Sequence, residues 1–201
     1  MSSKPIVTVG ENELTHVVGQ LVDKILRDGF EPQAVVGIAT GGAIAARQID
    51  PALGWVLFVC TLRRPSTGLK TGLPGVSAAL RRVPSPVADL LRRAEDRLGE
   101  LMGPRPSVVN LEAPLRETAE VVRSKGLTRI LVMDDAVDSG ATLARVVHDL
   151  RSMLPDDVEV RTAAICQTRE SGRSMIAPDY VVFERTLCRF HWSLDYRARP
   201  Q

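Results

Sequence analysis

ILVMDDAVDSGATL, residues Ile130 to Leu143, is the stretch from which the rest of the chain can be read. Ile130, Leu131, Val132 and Met133 form a short continuous apolar run, the pattern of a strand covered on both faces. The run ends in Asp134 and Asp135. Two carboxylates at the tip of a buried strand repel each other and lose hydration, so they need cationic or hydroxyl-rich partners. Vicinal sugar hydroxyls satisfy that need, and so does Mg2+, held directly or through water. Asp138, Ser139, Gly140, Ala141 and Thr142 then turn the chain into a helix start. There, free backbone N–H groups and two hydroxyls can hold a phosphate dianion.

Working outward, Thr128 to Asp135 is a strand, Gly140 to Leu154 a helix, and Val158 to Thr168 a further strand. Upstream, Leu14, Val17, Val18, Leu21, Val22, Ile25 and Leu26 recur at helical spacing, and Gly29 sits where the helix should end. Ala34 to Ala39 (AVVGIA) reads as a buried strand that enters a helix through a glycine-rich first turn, TGGAIAARQI. Gly54 to Leu62 is a third apolar strand, Leu115 to Lys125 a helix closed by Gly126, and Tyr180 to Arg185 a strand-like run. Strands alternating with helices predict the α/β class, with a parallel sheet flanked by helices. At 201 residues, 44% hydrophobic and only 4% aromatic, the chain suits one domain whose core is built from Val, Leu, Ala and Ile.

The formal net charge of +2 conceals an asymmetry. Residues 61–106 carry nine Lys or Arg against four Asp or Glu, so the insert is basic while the remainder is acidic. Those arginines read equally as a solvated helix face or as groups facing an anion, and so small a net charge makes nucleic acid an improbable partner. Cys60, Cys166 and Cys188 lie in apolar strands without CxxC spacing, which points to neither a disulfide framework nor a zinc site. MSSKPIVTVGENE has no sustained apolar run, and no stretch approaches the ~18 apolar residues of a membrane helix, so a cytoplasmic location is expected. Between Arg63 and Gly75 (RRPSTGLKTGLPG) there is no apolar period, the mark of a loop. Ser85 and Pro86 then start a helix whose apolar face is Val87, Leu90, Leu91, Ala94, Leu98 and Leu101, stopped by Gly103 and Pro104.

Taken whole, ILVMDDAVDSGATL resembles the motif by which type I phosphoribosyltransferases bind 5-phosphoribosyl-1-pyrophosphate (PRPP): apolar residues, two acids, two apolar residues, Asp, Ser or Thr, Gly and a later Thr. The resemblance implies a type I phosphoribosyltransferase-like parallel sheet over 1–201, with a mobile loop plus helical insert in 61–106 and a small C-terminal hood in 168–201. It implies Mg2+ as cofactor, PRPP and a small-molecule acceptor as partners, and a homodimer. Asp134 and Asp135 would meet the ribose hydroxyls and the metal, and Ala136, Val137, Ser139, Gly140, Ala141 and Thr142 the 5-phosphate. Asp138 would be the catalytic group that takes up the acceptor's proton. VVGIATGGAIAA (Val35 to Ala46) looks like the family's pyrophosphate loop, placing Thr40, Gly41 and Gly42 on pyrophosphate. The family commonly has Lys or Arg where Thr40 stands and a cis peptide before it, so the Ala39–Thr40 bond is a candidate for strain. RRPSTGLKTGLPG stands where a closing loop is expected, with Arg63, Arg64, Ser66 and Lys70 toward pyrophosphate.

PDYVVFERTLCRFHWSLDY (Pro178 to Tyr196) is similar to the hood of hypoxanthine-guanine phosphoribosyltransferases. The likeness assigns purine stacking to Phe190 or Trp192 and a further metal contact to Asp195. Gln167 stands where those enzymes carry a Lys that donates to the 6-oxo oxygen, so a different base or a non-nucleobase acceptor remains open. These readings predict a Mg2+-dependent phosphoribosyltransferase acting on a purine-like base, with a non-catalytic PRPP or nucleotide sensor as the alternative. A phosphoacceptor receiver domain fits poorly, because a second acidic strand end near the N-terminus is missing.

Overall fold

The computed structural model describes residues 4–60, 87, 89–90, 92–94, 112–170, 172, 174–193 and 195–196. In chain order the elements are β1 (Ile6–Val9), α1 (Glu11–Arg27), β2 (Ala34–Ile38), α2 (Ala39–Ala46), a 3-10 turn (Pro51–Leu53) and β3 (Val56–Cys60). They continue with α3 (Glu112–Ser124), β4 (Arg129–Val137), α4 (Ala141–Met153), β5 (Glu159–Gln167), β6 (Tyr180–Glu184) and β7 (Leu187–Phe190). Five strands form one sheet in the order β3-β2-β4-β5-β6, every neighbouring pair parallel. This is the expected α/β architecture, a parallel sheet flanked by helices.

Both faces of β4 are covered, which explains its unbroken apolar run. Leu131 and Met133 pack with Leu14, Val18, Leu21 and Ile25 of α1, while Ile130 and Val132 pack with Leu115 and Val122 of α3 and Val146 and Leu150 of α4. Each of these fully buried side chains contributes about 1.5–3 kcal/mol relative to an exposed one, so the sheet's centre is its most strongly specified part. From β2 the chain moves outward to β3 and later returns to β4 on the other side of β2. That reversal opens a crevice beyond the C-terminal ends of β2 and β4, where ligands settle in open α/β sheets.

Several local readings change. β4 runs to Val137, two residues past the acid pair, because Ala136 and Val137 keep their ladder partners Cys166 and Gln167. The extended N-terminal start is a strand: Ile6 to Val9 pair in parallel with Leu187 to Phe190 of the hood. In the insert, Val87, Asp89, Leu90 and Arg92 to Ala94 are helical. The face expected to pack is turned outward, Val87 being 45% and Leu90 65% exposed, while Asp89, Arg92 and Arg93 are half-buried. The hood supplies the reason, since it presents a carboxylate and a carbonyl that Arg92 binds. Leu91, Leu98 and Leu101 lie outside the described residues. Among the described residues, no helix is long and apolar enough to cross a membrane.

Candidate active site

At the switch point the β2–α2 turn is pressed against the acids of β4. A Cβ on Gly41 would collide with the Asp135 carboxylate, and one on Gly42 would lie 2.6 Å from the Met133 carbonyl oxygen and 3.0 Å from Asp134 Cα. Only glycine allows this approach. The strain anticipated at the Ala39–Thr40 bond takes another form. There is no cis peptide among the described residues, and Ala39 itself adopts φ +53°, in the left-handed region that a residue with a Cβ seldom occupies. Thr40 follows in the first turn of α2 and is exposed.

Asp134 is buried, and its Oδ1 accepts from the backbone N–H of Asp135 at 2.9 Å. Asp135 is half-buried, and its Oδ2 accepts from the Trp192 indole N–H at 3.1 Å. Both carboxylates therefore abut the glycine turn, one beside Gly42 and the other beside Gly41. Ala136 and Val137 lie in the strand rather than in the loop, so the loop available to a phosphate narrows to Asp138 through Thr142. In that loop Gly140 takes φ +73°, and the backbone N of Ile176 sits 2.9 Å from where its Cβ would be. Ala141 N–H reaches Ser139 Oγ at 3.4 Å, and α4 begins at Ala141.

Asp138 is held from the far side. Arg169 donates to it twice, Nε to Oδ1 at 2.8 Å and Nη2 to Oδ2 at 3.0 Å, and Thr168 Oγ1 donates to Oδ1 at 2.7 Å. The segment after Thr168 is stitched to the same loop, with Met175 N–H on the Ser139 carbonyl at 2.8 Å and Ser174 Oγ on the Asp138 carbonyl at 3.2 Å. Neither Thr168 nor Arg169 stands out in the sequence, because their partner is some thirty residues away.

The hood departs from the resemblance at Asp195. Its two oxygens are occupied by Arg92 (Nη2 at 2.6 Å, Nε at 3.1 Å) and Arg189 (Nε at 2.9 Å), and Arg189 also binds Asp89. Burial pushes the Asp195 carboxyl up, but hydrogen bonds from Arg92 and Arg189 outweigh it and hold the group below its ordinary range. A carboxylate whose oxygens are held by two guanidiniums does not fit the metal contact expected of Asp195. Among the described residues no group of three or more His, Cys, Asp or Glu side chains gathers as a cage for an ion.

Of the two aromatics offered for stacking, Phe190 is buried at 3% exposure and Trp192 is half-buried. They stack on each other, centroids 4.7 Å apart and ring planes nearly parallel, so Phe190 backs Trp192 and only Trp192 retains surface for a ligand. Gln167, at the end of β5 opposite Val137, is 4% exposed, and its Nε2 has no hydrogen-bond partner. The His191 Nδ1 beside Trp192 is likewise buried without a partner. A buried donor without a partner costs about 1–3 kcal/mol, which a ligand acceptor atom would recover. Arg63, Arg64, Ser66 and Lys70 lie outside the described residues.

Residues 10–199 match the family model described as the phosphoribosyl transferase domain. No curated protein sequence matches the chain. Among solved structures, a purine phosphoribosyltransferase from Pyrococcus horikoshii superposes with a TM-score of 0.56 at 16% identity, over 98% of this chain and 99% of that one. A hypothetical protein from Neisseria gonorrhoeae with bound ppGpp gives 0.59 at 18% identity, over 96% and 91%. The Helicobacter pylori xanthine-guanine-hypoxanthine phosphoribosyltransferase gives 0.56 at 14%, over 94% and 92%.

Proposed function

Because the chain belongs to the phosphoribosyl transferase domain family, we propose that it transfers the phosphoribosyl group of PRPP to a ring nitrogen of a purine-like base, with release of pyrophosphate. The observation that carries this reading is the packing of Gly41 and Gly42 against Asp135 and Asp134 at the switch point of the sheet. It juxtaposes a bare backbone turn, suited to pyrophosphate, with carboxylates suited to ribose hydroxyls. Asp138 to Thr142 hold the 5-phosphate at the start of α4, where the helix dipole and first-turn amides favour an anion.

Asp134 and Asp135 are hard oxygen donors of the kind Mg2+ takes, and they would hold it together with ligand oxygens. Bound there, the ion supplies neutralising charge for the departing pyrophosphate. On the acceptor side, Trp192 offers a stacking face and Gln167 Nε2 a neutral donor to a carbonyl oxygen or ring nitrogen of the base. A neutral amide in place of a cation reads an uncharged edge and gives no advantage to an ionised one, so the acceptor is a neutral base with an acceptor atom opposite Gln167.

Incubation with PRPP, Mg2+ and a panel of purine and pyrimidine bases, scored for pyrophosphate, tests the proposal. Release with an oxopurine-type base is expected, and Gln167→Leu should raise the KM for that base more than the KM for PRPP. Absence of release with every base, from protein that binds PRPP in a calorimeter, removes the transfer reading. It would favour nucleotide sensing, a second reading supported by the ppGpp held in the Neisseria structure; tight ppGpp binding without turnover is its signature.

A further inference from the structure

We propose that Arg169 is a positioning residue for the transfer reaction, holding the Asp138 carboxylate at a set distance from the acceptor-reading Gln167; this rests on the phosphoribosyl-transfer reading above. Gln167, Thr168 and Arg169 are consecutive. Gln167 is in register with Val137 in the β4–β5 ladder, and Thr168 N–H extends that ladder by donating to the Val137 carbonyl at 2.9 Å. One step further, Thr168 Oγ1 and both Arg169 donors close on Asp138. Acceptor reader and third acid are thus mounted on adjoining backbone, with no flexible segment between them.

The exposure of the two partners is unequal. The Arg169 side chain is 8% exposed and that of Asp138 51%. The guanidinium is hidden behind and the carboxylate faces outward, with one lone-pair site left on Oδ2 for an incoming N–H. A planar guanidinium gripping both oxygens fixes the plane of the carboxylate as well as its place, which a lysine ammonium cannot do. The carboxylate is thereby presented to the acceptor's ring N–H in one orientation, and that orientation is set by the same strand end that carries Gln167.

Full-length wild-type protein, Arg169→Gln, Arg169→Lys, Asp138→Asn and the Arg169→Gln/Asp138→Asn double variant should be compared for PRPP affinity by calorimetry and for kcat and KM with the base that the panel identifies. Arg169→Gln is expected to leave PRPP affinity near that of wild type while kcat falls ~100-fold, the size of effect that loss of reacting-group alignment produces. Arg169→Lys should recover part of the loss, and the double variant should be no slower than Asp138→Asn. Unchanged kcat in Arg169→Gln overturns the proposal. So does a double variant whose loss is the product of the two single losses, or an Arg169→Gln defect that lies wholly in PRPP affinity. Wild type that binds PRPP but turns over no base also overturns it, leaving Asp138 no acceptor to face. Wild type that binds no PRPP brings down the underlying reading, an outcome distinct from all of these.

Discussion

The two sides of the crevice are built differently. The side proposed for PRPP is made of backbone: a glycine turn, the end of β4 and the start of α4, brought together by the sheet and needing few side-chain contacts to hold them. The side proposed for the acceptor is made of long side chains, Arg92 to Asp195, Arg169 to Asp138 and Trp192 to Asp135 across large sequence separations and Arg189 to Asp195 across a short one. A backbone-built site tolerates almost no added volume. A site built from ion pairs can be re-aimed by changing a partner.

Substitution at the glycines should break the donor side most sharply, and differently at its two positions. Gly41→Ala meets the movable end of Asp135, so the fold should survive while kcat/KM for PRPP falls ~100-fold, the size of loss that a small misplacement in the site produces; steady-state kinetics with PRPP and Mg2+ measure it. Gly42→Ala meets backbone at Met133 and Asp134 instead, so the loss should register as stability, about 1–3 kcal/mol by urea denaturation. Equal behaviour of the two variants would mean that the turn does not rest on the acids as described.

Asp195→Ala tests the acceptor side at smaller cost. It leaves Arg92 and Arg189 without their shared carboxylate, and about 2 kcal/mol of stability should go with it, as for hydrogen bonds to charged groups. PRPP affinity should hold, because this side does not form the donor cradle. The smallest effect is in pH. The folded-state pKa of Asp195 is depressed, so its contribution is fully present above its ordinary value of 3.8 and fades as pH falls through the lowered folded value. The stability gap between wild type and Asp195→Asn should therefore be constant from pH 5 to 7 and narrow below about pH 4; a gap that widens on acidification would contradict the assignment.

Legibility follows the same division. The strand of Ile130 to Met133, its acid tip and the glycine turn at Gly41 and Gly42 are local patterns, and each can be found without knowing what lies opposite. Even there, the strand's two-residue extension through Ala136 and Val137 depended on partners in β5. Asp195 shows the opposite case. Its place in an LDY run pointed to a metal, yet the helical insert brings Arg92 onto it. The same insert defeats its own apolar periodicity, because Asp89 and Arg92 find better partners in the hood than Val87 and Leu90 do in water or core.

What the sequence by itself determined is the class of fold and the local pieces of the candidate site, since apolar runs, acid pairs and glycine turns act over a few residues and carry their own physical cost if misplaced. Tertiary structure alone decided that Asp195 is a salt-bridge anchor, that Phe190 backs Trp192, that Gln167 holds a buried unpartnered donor and that Arg169 grips Asp138. Those assignments depend on which charged and aromatic side chains meet across separations from a few residues to about a hundred. Nothing in the local pattern of a chain specifies such meetings; only the packed sheet and its hood do.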